Sequence, residues 1–95
     1  MSWKVVYHQD VEGDLKSVGP AAARRIIRAI DKKLVTEPLQ FGAPLSVNLA
    51  GFRKLRIGAY RVVYQALETK VMVFVLAVGP RRDKEIYQIA TKRFT

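Results

Sequence analysis

The feature that most constrains the fold is a change of hydrophobic period at Gly51. Before it, apolar residues recur every three or four positions. After it they fall into three short blocks, Phe52–Ile57, Tyr60–Leu67 and Val71–Val78. Alternation over so few residues, rich in β-branched and aromatic side chains, reads as strands. The links between the blocks, Gly58-Ala59 and Glu68-Thr69-Lys70, are short enough only for antiparallel neighbours. Val71–Val78 is apolar at every position, which predicts a central strand covered on both faces.

The first half reads differently. Trp3–His8 is strand-like. Gln9 or Asp10 is placed to cap a short helix with Val11, Leu15 and Val18 on one side, weakened by Gly13 and ended by Gly19-Pro20. Pro20 suits the first position of a second helix. Ala23, Ile26, Ile27, Ile30 and Leu34 form its apolar stripe, with Arg24, Arg25, Arg28, Asp31 and Lys32 opposite. It stops before Pro38, and residues 38–50 read as a connecting loop. After Gly79-Pro80, residues 81–93 return to helical spacing through Ile86, Ile89 and Ala90. The expected fold is α+β, in the order β-α-α-β-β-β-α: a helical hairpin on a small, mostly antiparallel four-stranded sheet, closed by a C-terminal helix.

Ninety-five residues make one domain, 1–95. No apolar run approaches the roughly 20 residues that span a bilayer, and the N-terminus lacks the pattern of an export signal. There is no cysteine, so packing alone must hold the fold, and a cytoplasmic location without membrane contact is expected. The net charge is +9. Residues 1–50 carry seven Lys/Arg against five Asp/Glu, whereas residues 51–95 carry ten against three. So lopsided a charge points to an anionic partner, nucleic acid first.

The hairpin register sharpens this. A two-residue Gly58-Ala59 turn with Gly first is of the II′ kind. It sets Ile57 opposite Tyr60, Arg56 opposite Arg61 and Lys54 opposite Val63, so Lys54, Arg56 and Arg61 share one face. Neither strand carries an acidic residue, and directly opposed like charges destabilise a strand pair. The cluster is therefore read as a phosphate site. Arg81 follows the Val78-Gly79-Pro80 exit, at a strand end of the kind that often carries function. Tyr87 lies off the apolar stripe and is either helix packing or a platform for an unstacked base. His8, alone and without a partner, is read as structural.

These residues carry a family resemblance. Leu-Arg-Ile-Gly-Ala-Tyr-Arg-Val-Val-Tyr-Gln (55–65), Val-Met-Val-Phe-Val-Leu-Ala-Val-Gly (71–79), Arg81-Arg82 and Glu85-Ile86-Tyr87 resemble the RelE branch of the RelE/ParE toxin superfamily. Phe41-Gly42-Ala43-Pro44-Leu45 before Leu49-Ala50-Gly51 extends the likeness over nearly the whole chain. The resemblance implies the toxin of a type II toxin–antitoxin system, a ribosome-dependent endoribonuclease that cuts mRNA in the decoding A site. Lys54, Arg61, Arg81 and Tyr87 match the catalytic positions of that branch, and Arg53, Arg56, Arg82 and Lys84 are expected to bind RNA around them. The branch also has a lysine two residues before the first of these; here that position is Phe52.

The implied partners are a RelB-like antitoxin, the ribosome and its mRNA, with operator DNA bound by the toxin–antitoxin complex. No cofactor and no metal is expected. In such a reaction the 2′-OH attacks phosphorus in line with the leaving 5′-oxygen. Arg61 and Arg56 stabilise the charge on the phosphorane oxygens, Lys54 is the candidate base, and Arg81 neutralises the leaving oxygen. Two other readings stand beside it: a ParE-like inhibitor of DNA gyrase with the same fold and no nuclease activity, and a basic RNA-binding module with no activity of its own.

Overall fold

The computed structural model describes residues 2–45, 51–80 and 85–94. Its elements are β1 (Lys4–Tyr7), α1 (Val11–Val18), α2 (Pro20–Ala29) continued by a π-helical turn (Ile30–Leu34), α3 (Pro38–Phe41), β2 (Ala43–Pro44), β3 (Phe52–Ile57), β4 (Tyr60–Leu67), a 3-10 turn (Glu68–Lys70), β5 (Met72–Pro80) and α4 (Glu85–Phe94). The α+β class and the element order follow the expectation. The sheet, however, has five strands and not four, in the order β1-β5-β4-β3-β2. Within the segment read as loop, Pro38 starts a one-turn helix and Ala43-Pro44 pairs with Lys54 and Arg53. Two residues are too few to show any period, so this strand leaves no mark in the sequence.

β5 is central, parallel to β1 and antiparallel to β4. Each face has its own core. On one, Val11, Ile26, Ile30 and Leu34 from α1, α2 and the π turn pack on Leu55, Ile57, Val62, Tyr64, Val73, Val75 and Val78. Burying each such aliphatic side chain contributes about 1.5–3 kcal/mol. On the other, Ile86 and Ala90 of α4 pack on Phe52, Val63, Leu76 and Ala77. Residues 26, 30 and 34 are each four apart, a spacing that drifts around a regular α-helix. The wider π turn brings Leu34 back over the core. Ile27, expected on the apolar stripe, stays 38% exposed.

A bulge decides which β5 side chains face which layer. The register slips between Val63 and Tyr64, which pair with Ala77 and Val75 and leave Leu76 as the extra residue. Leu76 and Ala77 therefore both face α4, while Val75 and Val78 both face the helical hairpin.

β1 is shorter than β5. Its last contact is the His8 N–H donating to the Val75 carbonyl at 2.8 Å. Past that point two side chains complete the sheet edge. Arg93 Nη1 donates to the Leu76 carbonyl at 2.9 Å, and the Val78 N–H donates to Asp14 Oδ2 at 3.0 Å. Arg93 and Asp14 also pair with each other through two bonds of 2.6 and 2.9 Å. Asp14 holds the Arg93 guanidinium even more firmly protonated than usual. The pair thus ties the last turn of α4 to α1 across the end of the sheet.

Candidate active site

The β3–β4 turn has the predicted form. Gly58 takes φ +55° while Ala59 does not have a positive φ, as a II′ turn requires. Ile57 pairs with Tyr60, Arg56 with Arg61 and Lys54 with Val63. In a two-residue hairpin Arg56–Arg61 is a non-hydrogen-bonded pair, so its Cα atoms stand about 4.5 Å apart. Alternation puts Lys54, Arg56 and Arg61 on the same side as Phe52 and Val63, the face that α4 covers. Arg56 is exposed, and Lys54 and Arg61 are half-buried.

Arg61 is the unusual member. Its Nη1 is enclosed by protein and has no hydrogen-bond partner among the described residues. A buried donor left unmatched costs about 1–3 kcal/mol, more when charged. Arg56 opposite it adds repulsion of about 0.2–1 kcal/mol. Among the described residues no acidic group pairs with this guanidinium. A planar fork of this kind is matched by the paired oxygens of a phosphate.

Tyr87 packs partly buried against the core cluster on this face, with Leu45, Phe74 and Ile89. It therefore belongs to the helix that overlies the strands bearing Lys54 and Arg61. Phe52, where a second lysine stands in the RelE branch, is 3% exposed and sits in the same cluster as Ile86 and Ala90. Here that position helps seat α4. Arg81, Arg82 and Lys84 lie outside the described residues.

Arg53 is not in the cluster. It points to the other face, where Nη2 donates to the Leu39 carbonyl at 2.7 Å and to that of Gly42. It caps the C-terminal end of α3, whose last carbonyls have no partner within the helix. Beside it the fully buried Tyr64 donates to the Pro38 carbonyl. A Cβ at Gly42 would collide with that phenol. Charge alone suggested RNA for Arg53; alternation along β3 is the signal against it.

His8 fits its structural reading, since its Nδ1 accepts the Asp10 N–H at 3.1 Å at the start of α1. Sequence reasoning overlooked the Asp14–Arg93 pair, although a signal was there. Asp14 falls within the α1 stripe of Val11, Leu15 and Val18, and Arg93 continues the α4 stripe of Ile86, Ile89 and Ala90. A charge on an apolar helical face is rarely buried without a partner, which marks each of the two residues, although not their meeting across the sheet end.

Comparison with known proteins fixes the family. Residues 5–85 match the family described as ParE toxin of type II toxin-antitoxin system, parDE. The chain belongs to the RelE/ParE toxin family. The toxin is 38% identical over 98 residues, 98% of each chain, to a putative RelE-like toxin protein of Escherichia coli. It is 52% identical over 40 residues to the mRNA interferase toxin RelE of Escherichia coli K12. That match spans 42% of either chain, less than half of the relative's length. In fold it resembles a chain in the crystal structure of the toxin-antitoxin complex RelBE2 from Mycobacterium tuberculosis. The TM-score is 0.81 at 29% identity, covering 87% of the toxin and 95% of that chain.

Proposed function

We propose that the toxin is a ribosome-dependent endoribonuclease that cuts mRNA in the decoding A site, and that protein cations serve its chemistry without a metal ion. The observation that carries this is the convergence of Lys54, Arg56 and Arg61 on one sheet face, with no acidic partner for any of them among the described residues. Lys54 takes the proton from the 2′-OH, and O2′ attacks phosphorus. The P–O5′ bond breaks, and the leaving oxygen takes a proton from water, giving a 2′,3′-cyclic phosphate and a 5′-OH. Arg61, with Arg56 beside it, holds the non-bridging oxygens as negative charge develops on them. Arg81 is assigned to neutralise the leaving oxygen and Tyr87 to stack on an adjacent base. Arg82 and Lys84 supply further phosphate contacts. The ribosome contributes by aligning the strand.

The 40-residue match to an mRNA interferase supports this reading. A cytoplasmic toxin held by a RelB-like antitoxin follows from it, as does operator binding by their complex. The deciding assay uses programmed ribosomes and purified toxin. Wild type should cut A-site mRNA, and Arg61→Ala should cut about 10²–10³ times more slowly. Intact mRNA with the wild type, or full activity in the variant, rejects the mechanism. A ParE-like action on DNA gyrase is the second reading, favoured by Phe52 at the lysine position. Inhibition of supercoiling with no mRNA cleavage would establish it.

A further inference from the structure

Arg53 bonds the protein itself, and the segment it grips borders the site. β2 is an edge strand two residues long, paired only with β3. Leu39 and Phe41 before it are 40% and 48% exposed, and Ala43 and Pro44 are exposed too. Within residues 38–44 only Pro38 and Gly42 are buried, so apolar packing does little to keep this edge in place. Those two residues are the points at which the sheet takes hold. The Tyr64 hydroxyl donates to the Pro38 carbonyl. The Arg53 fork reaches the carbonyls of Leu39 and of Gly42, immediately before β2.

The ladder connects this edge to Lys54. The Leu45 N–H donates to the Phe52 carbonyl at 2.9 Å, which makes Leu45 and Phe52 a hydrogen-bonded pair. By alternation Pro44–Arg53 is a non-hydrogen-bonded pair and Ala43–Lys54 is hydrogen-bonded again. Pro44, which has no N–H, suits that position. On its other side Lys54 faces Val63 as a non-hydrogen-bonded pair. The backbone groups of Lys54 therefore point to β2 and not to β4. Ala43 also stands beside Lys54 on the cationic face. Arg56 and Arg61 lie past the end of β2 and pair with each other.

We propose that Arg53 is a positioning residue for Lys54. By gripping the α3–β2 junction from the opposite face of the sheet, it locks β2 onto β3 and fixes the backbone from which the amine reaches the 2′-OH. The proposal rests on the nuclease reading above and adds a residue that does not touch RNA. Without the fork, β3 becomes the free edge at Lys54. A general base acts only within about 2.6–3.2 Å of the proton it takes, and a misplacement of about 1 Å costs on the order of 100-fold in rate. Arg56 and Arg61 keep their places, so the hold on phosphate is unchanged.

The test uses the full chain on programmed ribosomes, at a temperature where circular dichroism shows every variant folded. Arg53→Met keeps the length of the side chain and removes the fork; kcat should fall about 10–100-fold with KM unchanged. A second variant, P44C/R53C, replaces the clamp with a covalent bond. The Cα atoms of a non-hydrogen-bonded pair are about 4.5 Å apart, within the range that a disulfide bridges, and the chain has no cysteine to compete. Oxidised, this variant should cut as fast as wild type although it lacks the arginine; reduced, it should slow to the rate of Arg53→Met. Amide exchange at Lys54 should follow the same order, about 10–100 times faster in Arg53→Met than in wild type. Full kcat in Arg53→Met, or a disulfide-bonded form that stays slow, overturns the proposal and leaves the nuclease reading intact. A raised KM that the disulfide does not reverse also overturns it, making Arg53 an RNA contact. A wild type that cuts no mRNA overturns both.

Discussion

Removing Arg93 tests how α4 is held. Its guanidinium makes two bonds to Asp14 and one to the Leu76 carbonyl, all between 2.6 and 2.9 Å. The two side chains are only 14% and 15% exposed, so solvent does little to screen them. Arg93→Ala leaves the Asp14 carboxylate with the Val78 N–H at 3.0 Å and strips the Leu76 carbonyl of this donor. Hydrogen bonds to charged groups contribute about 1.5–3 kcal/mol, and breaking a buried pair costs about 3–5. With part of the rim open to water, about 3 kcal/mol is expected. For a domain of this length that lowers Tm by about 12–24 °C.

Urea unfolding of wild type, Asp14→Ala, Arg93→Ala and the double variant closes a cycle in which each single change leaves one member of the pair unmatched. The coupling energy should be about 2 kcal/mol, with the double variant nearly as stable as the weaker single one. Costs that simply add, with coupling under about 0.5 kcal/mol, would refute the idea that the pair works as one unit across the sheet end. Because α4 carries Tyr87, the same variants should also lower mRNA cleavage at temperatures where the domain remains folded.

Three further outcomes follow from the packing. Arg61→Gln should raise stability by about 0.5–1 kcal/mol while abolishing cleavage, because it relieves an opposed charge and a buried unmatched donor; a lower Tm would show that Arg61 has a protein partner. Val71 adopts φ +50° at the link into β5, costly for a β-branched residue, so Val71→Asn should gain about 1 kcal/mol in thermal unfolding; no gain means that the site carries no strain. Burial raises the Tyr64 phenol above its usual range, against a lesser lowering by Arg53. The folded state then holds that proton more tightly than the unfolded chain, so stability is full below pH about 10 and falls as pH rises through the folded value. Tyr64→Phe should lose about 1 kcal/mol at neutral pH with the Pro38 bond. Its alkaline decline should be shallower but still present, because Tyr7 is shifted upward too, by burial and by Asp31; an unchanged alkaline slope would remove Tyr64 from the account.

The sequence by itself determined the hairpin. Strand alternation around a glycine-led two-residue turn set Arg56 against Arg61 and brought Lys54 to their face, with no acidic residue on either strand. Those are local relations, and a two-residue turn leaves little freedom in register. What tertiary structure decided lies where the pattern is uninformative or the partners are distant. The all-apolar β5 hides its bulge, because every position suits either face, and only contact with two helical layers sends Leu76 and Ala77 to the same side. Arg53 looked like one more RNA contact until the α3 carbonyls came within its reach. Phe52, conspicuous in sequence as a missing lysine, is packed in the core beneath α4. Asp14 and Arg93, 79 positions apart, meet because β1 ends before β5 and leaves backbone groups that need partners. Charge and period are written along the chain; which charges are already satisfied is decided only when the layers close.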